Sequence, residues 1–394
     1  MIHRNNLRAG LTKHVVVIGG GVTGAAIAYD LAQRGAKVTL LERGSIGSGT
    51  SGRTHGLLHS GCRYVADVDV ARECYLENVT LRKIAPFLFE KNGGLFVAID
   101  ESDLKYKDFF LKKCEEAGIP VKELDRNEAL GLEPNLNPEL KAAVLVPDGT
   151  FDPLKVMLSF LASAKLHGAD IRPFNEVVGF RIESGAIKAV RVLDKTSERE
   201  YELEADYVVN ATGAWANKVA RLAGLSVPVK PSPGVMVALN ARIGHRVFNR
   251  LNKPGDGDII IHQRGTSVIG TTSWVVEDPD TVTIPREHVE LMLKRGTELA
   301  PIVAKLKVKA TFVSSRPLVG AVQASTGREV SRSFAIIDHA RDGVENFASI
   351  IGGKFTTARL MAEKMADFVA ERIGITQPCR TADTPLAPYW SYFT

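Results

Sequence analysis

The sequence predicts an α/β protein, α+β overall, in which a nucleotide-binding domain on a parallel sheet carries an inserted domain of mixed antiparallel sheet. Three observations lead there. Strand, glycine turn, helix and second strand occupy residues 14–43. A second strand-to-helix glycine turn, Ile351-Gly352-Gly353-Lys354, follows near the C-terminus. Between the two, alternating apolar and polar residues fill 171–210, and 227–275 read as further antiparallel strands. A chain of 394 residues is also longer than one core ordinarily serves.

His14-Val15-Val16-Val17-Ile18 is a continuous β-branched run, the mark of a strand buried on both faces. Good helix formers from Ala25 run to Gly35, which ends the helix, and Lys37–Glu42 is the next strand. The whole is one parallel crossover unit. Residues 44–64, rich in Gly, Ser, Thr and His, read as too polar for the core. Helices are expected over 70–92, 103–117 and, capped by Asp152-Pro153, to Leu166. Strands are expected at Leu95–Ile99, Tyr207–Asn210, Ile259–His262 and Ser267–Gly270, with turns at Glu183-Ser184-Gly185 and Asp194-Lys195. A helix over 285–299 and one running from the second glycine turn to Glu371 complete the chain. This order gives a discontinuous nucleotide domain (12–80, 146–220 and 330–375), a substrate domain (81–145 and 221–329) and a tail (376–394).

Apolar residues at 45% and charged residues at 24% are the balance of a globular protein. A net charge of +5 is slight for this length, compatible with anionic small molecules or a membrane surface and far from a nucleic-acid binder. Cys62, Cys74, Cys114 and Cys379 form no CxxC pair, which argues against a metal or iron–sulfur site held by these residues. Met1–Lys13 is polar and basic, unlike a signal peptide, and no apolar run is long enough to span a membrane. A cytoplasmic, reducing setting is the expectation.

Gly19-x-Gly21-x-x-Gly24 lies directly between strand and helix. Gly19 permits the tight turn, Gly21 lets a pyrophosphate approach the backbone, and Gly24 lets helix and strand pack closely. Glu42, ending the second strand, suits the hydroxyls of an unphosphorylated ribose. This Rossmann-like unit alone does not separate NAD from FAD. Two further segments favour FAD: the strand and small-residue turn Val208–Trp215, and the turn Ile351–Thr357, where free backbone N–H groups and Lys354 suit a flavin that gains negative charge on reduction.

Taken together, GGGVTGAAIAYDLAQRG (19–35), LLER (40–43), TSGRTHGLLHSGCRY (50–64), VVNATGAW (208–215), SVIGTTS (267–273), SSRPLVG (314–320) and IIGGKFTTARLMAE (350–363) resemble the FAD-dependent sn-glycerol-3-phosphate dehydrogenases. Within that family the chain is most similar to the catalytic A subunits of the anaerobic enzymes. The wider group is the D-amino-acid-oxidase-like flavoproteins. The resemblance runs in order over about residues 14–383. It implies that Val22, Thr23, Arg43, Thr50, Ser51, Val177, Ala211, Thr212, Gly213, Gly352, Gly353, Lys354, Phe355 and Thr356 join Gly19, Gly21, Gly24 and Glu42 at FAD. It also implies that Arg63, Tyr64, Thr272, Arg316 and Lys354 bind glycerol 3-phosphate, with His59 beside the flavin and Thr271 in the same cavity. Among 50 Lys and Arg, a single arginine is ordinarily a solvated surface charge, and only HSGCRY and SSRPL single out Arg63 and Arg316. Arginine forks suit a phosphate monoester dianion.

The implied reaction is oxidation of C2 of glycerol 3-phosphate by hydride transfer to flavin N5, giving dihydroxyacetone phosphate. His59 is the first candidate for the base and Lys354 for stabilising reduced flavin, while Cys62 reads as a small buried thiol. The strand Gly234-Val235-Met236-Val237 lacks the histidine of the aerobic, membrane-linked relatives, as the anaerobic subunits do. Those subunits continue into a cysteine-rich region, whereas this chain stops at Thr394 with only Cys379 nearby. The electron acceptor therefore stays open between partner subunits, a quinone at the inner membrane surface and O2, as does homo-oligomer formation. The aromatic end Pro388–Phe393 suits docking on a partner or membrane interface, and equally packing on its own domain. His262-Gln263-Arg264 either extends the phosphate site or faces solvent. Competing readings are a related oxidase of a 2-hydroxy acid or amino acid, and a non-catalytic flavin-binding subunit.

Overall fold

The computed structural model describes residues 12–320 and 333–394. The expected boundary at 329/330 and nearly all of the polar N-terminal segment lie outside the described residues. One six-stranded sheet runs, in spatial order, Phe334–Asp338, Phe347–Gly352, Tyr207–Asn210, His14–Ile18, Lys37–Leu41, Asp170–Arg172. All neighbours are parallel except the first pair. Val16 stands between Val208 and Thr39, and both faces of these strands are covered. Helices Val22–Gln33, Pro153–Leu166 and Ala358–Ile373 pack on one face through Ile27, Leu31, Phe160, Leu161 and Met365. The antiparallel strands Asn175–Glu183, Ala186–Asp194 and Arg199–Glu204 cover the other, through Val177, Val190 and Val192 against Val16, Leu41 and Val208. This two-sided burial explains why the parallel strands are apolar without alternation.

The second sheet has eight strands: Val308–Val319, Val229–Leu239, Thr266–Gly270, Ile259–Gln263, Val247–Arg250, Gly94–Ala98, Ala142–Val146 and Lys122–Leu124. Helix Arg286–Leu299 closes one face, with Met292 and Leu299 against Val235, Val237, Phe248 and Ile269. Helix Glu101–Ala117 packs Phe110 and Cys114 on Phe96 and Val144. Val229–Leu239 and Val308–Val319 form the longest pairing, from Val229↔Val319 to Leu239↔Val308, and bring Arg316 opposite Ser232.

Most expected elements appear within a few residues of their sequence positions. The helix expected over 70–92 is Val68–Ile84, with Asp67 as its cap. It ends at Ala85 because Pro86 disfavours helical geometry in the residue before it, and Phe89–Glu90 then becomes a short strand. The reading of 44–64 as too polar for the core needs correction. Leu58, Ser60 and Cys62 are buried, and Leu57–Leu58 pairs with Gly149–Phe151. A buried carboxylate makes this possible: Asp148 accepts from Ser60 N at 2.8 Å and from Asn249 Nδ2 at 3.2 Å. Ala142–Val146 and Val308–Val319 are strands beyond those expected from the sequence. Among the described residues, no helix is long and apolar enough to cross a membrane, and no cluster of three His, Cys, Asp or Glu is placed to hold a metal.

Candidate active site

A cavity of about 1380 Å³ runs between the two sheets. At one end the first glycine turn brings Gly19, Gly21, Val22 and Thr23 to the wall, with Glu42 and Arg43 from the next strand end and Thr50, Ser51 and Val177 alongside. Gly19 sits at φ +111°, and a Cβ on it would stand 2.7 Å from the Ala211 carbonyl oxygen. Gly24 does not reach the wall: a Cβ there would stand 1.9 Å from Gly19 O, so its part is the close helix–strand approach. Val22 N donates to Ser51 Oγ at 3.0 Å, which places a hydroxyl at the helix N-terminus. The Glu42 carboxylate accepts from Gly20 N at 2.7 Å and Gly44 N at 2.8 Å, which fixes it at the wall with lone pairs to spare for hydroxyl donors.

Ala211, Thr212 and Gly213 form a second wall, and Gly352, Gly353, Lys354 and Phe355 close the far end. Gly352 and Gly353 are both in the left-handed region, at φ +85° and +73°. The free amides expected in this turn are partly used. Gly353 N donates to Ser333 O at 3.1 Å, and Lys354 N to Thr357 Oγ1 at 3.3 Å, because the helix begins only at Ala358 and the turn needs its own bonds. Thr356 lies behind the wall, fully buried, its hydroxyl accepting from His59 N at 3.1 Å.

His59, Arg63, Tyr64, Thr271, Arg316 and Lys354 meet at this far end. Tyr64 Oη and His59 Nε2 are 3.3 Å apart, and Lys354 Nζ stands 5.0 Å over the Tyr64 ring. Arg63 donates to Gly255 O at 3.1 Å and pairs with the buried Asp258 at 3.4 Å. Arg316 donates to Ser232 O, Pro233 O, Thr272 O and Thr271 Oγ1, so its guanidinium is held rigidly at the cavity. Thr272 is the misplaced member of the expected set. It is fully buried behind the wall, its hydroxyl accepts from Val235 N at 3.0 Å, and only its carbonyl serves the site, by holding Arg316. Its neighbour Thr271 is the one that lines the cavity.

Of His262-Gln263-Arg264, only Arg264 faces solvent as one of the two expectations had it, and the other two turn into the fold. His262 is buried against Phe248 and bonded to Ser267 Oγ at 2.8 Å. Gln263 braces the carbonyls of His55 and Phe151, and Arg264 pairs with Asp152. Two residues outside the expected site belong to it. His55 lines the cavity, and burial, then Arg63 and Arg316, lower its pKa to about 3, so it is a neutral imidazole. Asp258 holds Arg63 from 195 residues away, and nothing local in the sequence marks that pairing. For His55 the sequence offers only its place as a second histidine of the same glycine-rich loop.

Residues 14–368 match the family model of FAD-dependent oxidoreductases, DAO. The chain is 43% identical over 376 residues to the A subunit of the anaerobic glycerol-3-phosphate dehydrogenase of Escherichia coli, a match covering 94% of this chain and 69% of that one. It is 44% identical to the A1 subunit of the corresponding enzyme from Haloferax volcanii, over 94% of this chain and 66% of that one. Among solved structures, the glycerol-3-phosphate dehydrogenase of Bacillus halodurans, complexed with FAD, superposes with a TM-score of 0.71 at 25% identity, over 95% of this chain and 68% of that one. A cavity cradled by glycines at both ends suits a long dinucleotide. The chain belongs to the FAD-dependent oxidoreductase family, and FAD is its cofactor.

Proposed function

We propose that the chain oxidises sn-glycerol 3-phosphate to dihydroxyacetone phosphate. The observation that carries this reading is the convergence of Arg63, Arg316 and Lys354 on the cavity end that also holds His59 and Tyr64. Three cations at one end of a flavoenzyme cavity suit a phosphate dianion better than a single carboxylate. Relatives named as glycerol-3-phosphate dehydrogenase subunits, at 43% and 44% identity, support the same substrate.

In this reading the assembly around the six-stranded sheet is the cofactor domain, and that around the eight-stranded sheet is the substrate domain. Arg63 and Arg316 hold the phosphate, with Thr271 and Tyr64 beside it. His59 takes the proton of the C2 hydroxyl, and the hydrogen bond between Tyr64 Oη and Nε2 steadies its ring. Lys354 supplies positive charge where negative charge develops. The chemistry FAD supplies when bound is acceptance of a hydride, here from C2 at flavin N5. Thr50, Ser51, Val177 and Phe355 shape the cofactor walls, with Thr356 behind them. The electrons leave through a partner subunit or a quinone at the inner face of the membrane, where the chain works as a peripheral cytoplasmic protein. The subunit names of its relatives support a partner subunit, and the terminal turn Tyr389–Tyr392 offers a surface for such a contact. Its Tyr389 and Tyr392 pack on the main core while Trp390 and Phe393 stay exposed.

The test is anaerobic. Glycerol 3-phosphate added to the purified yellow protein bleaches the visible flavin band, and lactate or amino acids do not. Bleaching by a carboxylate substrate instead would replace the reading, and no bleaching by any of them would leave a flavin-binding subunit. Reoxidation by a quinone analogue, an artificial dye or O2 then sorts the acceptors.

A further inference from the structure

The segment between strand Thr266–Gly270 and helix Arg286–Leu299 leaves the eight-stranded sheet and crosses to the Glu42 end of the cavity. There Pro279 and Asp280 join Arg43, Trp215 and Lys218 in its wall. Asp280 Oδ1 accepts from Arg43 Nη2 and from Trp215 Nε1, each at 2.7 Å, and Oδ2 accepts from Lys218 Nζ at 2.7 Å. Lys218 also donates to Asp278 at 2.6 Å, and the Arg43 guanidinium lies 4.8 Å over the Trp215 ring. The three donors come from three elements of the six-stranded assembly. Arg43 follows Glu42, Trp215 ends the turn Gly213–Trp215, and Lys218 lies on helix Ala216–Arg221. One loop carboxylate from the other sheet ties them together.

We propose that residues 276–284 are a latch over the adenosine end of the FAD cavity, with Asp280 as its clasp, and that its release sets the rate at which FAD leaves. The inference rests on the placement of the adenosine end by Glu42 and the first glycine turn. A ligand lying along that wall has this strap across its exit, because Pro279 and Asp280 stand on the cavity side facing Arg43 and Trp215. Burial alone would raise the Asp280 pKa, but hydrogen bonds from Arg43, Lys218 and Trp215 outweigh it and hold the carboxyl well below the usual range. The clasp is therefore charged at any physiological pH. Its side chain is 37% exposed and that of Lys218 45%, so the bonds are made in sight of water. An exposed pair contributes little by itself, whereas three charge-assisted bonds on one carboxylate act as a network. Salt weakens such a network, which gives the latch a signature.

The test follows FAD release from the holoprotein by the rise in flavin fluorescence after dilution, without substrate, across a range of NaCl. Asp280→Asn keeps the shape of the clasp and removes its charge, and FAD leaves about tenfold faster; Lys218→Met gives a smaller increase of about threefold. The wild-type rate rises with salt, and the rate of Asp280→Asn rises much less, since its clasp is already open. Release at the wild-type rate from both variants overturns the latch, as does an equal salt response in the wild type and Asp280→Asn. If Asp280→Asn folds poorly, Lys218→Met and the salt response of the wild type decide the matter. Because no substrate enters the measurement, a failure of glycerol 3-phosphate to reduce the flavin leaves the result intact.

Discussion

The two ends of the cavity are built by different means. The Gly19 end comes chiefly from one continuous stretch, 14–42, and works through backbone shape and a single carboxylate. The His59 end is assembled from side chains of four separated segments, around residues 59–64, 271, 316 and 354. The first end depends on the absence of atoms, since a Cβ on Gly19 or Gly24 would stand inside the van der Waals distance of backbone oxygens. The second depends on charges held in position by carbonyls and by Asp258. Changes at the first end should therefore remove cofactor and fold together, while changes at the second should remove substrate and leave the yellow colour.

The largest effect is expected at Gly24. Its Cβ would lie 1.9 Å from Gly19 O, and the neighbour is backbone that cannot swing aside. Gly24→Ala is expected to cost about 3 kcal/mol and to yield protein without FAD, measured by denaturant unfolding and flavin content. Full flavin at wild-type stability would show that the turn has slack and that shape is not what builds this end. Next comes Arg316→Ala, expected to raise KM for glycerol 3-phosphate on the order of 100-fold while FAD content stays unchanged. Arg316→Lys keeps the charge but loses the fork, so it should fall between the two. Loss of FAD in Arg316→Ala would mean that the ends are not separable.

The same contrast decides what the sequence can say. A βαβ unit is local: apolar strand, glycine spacing and terminal Glu42 are contiguous, so residue chemistry alone names a dinucleotide. Arg63 and Arg316 are not local. By composition each is one cation among many, and only resemblance of the surrounding segments singles them out. Asp258 and the strap through Asp280 are illegible because their partners lie 195 and 237 residues away. Thr272 is expected in the cavity together with Thr271, yet only Thr271 reaches it, because the Thr272 hydroxyl is taken by Val235 N from a strand 37 residues away. Polar runs mislead for a related reason. Residues 44–64 and His262 look solvated, yet Ser60 and His262 are buried, with Asp148 accepting from Ser60 N and Ser267 bonded to one ring nitrogen of His262.

A smaller effect, confined to the His59 end, follows from His55. Burial, Arg63 and Arg316 lower its folded pKa to about 3, against 6.5 for an ordinary histidine. The unfolded chain therefore binds a proton there that the folded one refuses over that interval. Stability from this group is level above pH 6.5 and falls as pH drops from 6.5 towards 3. Between pH 6.5 and 5 the loss should be about 1–2 kcal/mol, and His55→Gln should flatten the stability profile by that amount. Phosphate bound at the arginines offsets two of the three causes, so it should raise the His55 pKa, readable by NMR titration of the ring. A profile unchanged by His55→Gln would mean that water reaches the ring and that this end is wetter than its lining suggests.

The smallest effect tests the outer limit of the charged end. Arg264 lies on the neighbouring strand connection, is 76% exposed, and pairs with Asp152, the cap of helix Pro153–Leu166. If the phosphate site ends at Arg63 and Arg316, Arg264→Ala should leave KM within about twofold and stability within about 0.5 kcal/mol, as for other exposed ion pairs. The weakening that does occur should disappear in high salt, because a solvated pair is screened. A tenfold rise in KM would instead extend the anion field along the strand tip. The charged end would then be defined by long-range steering as much as by rigid forks. Salt dependence of kcat/KM distinguishes the two, since steering fades with ionic strength and a fork buried among carbonyls does so far less.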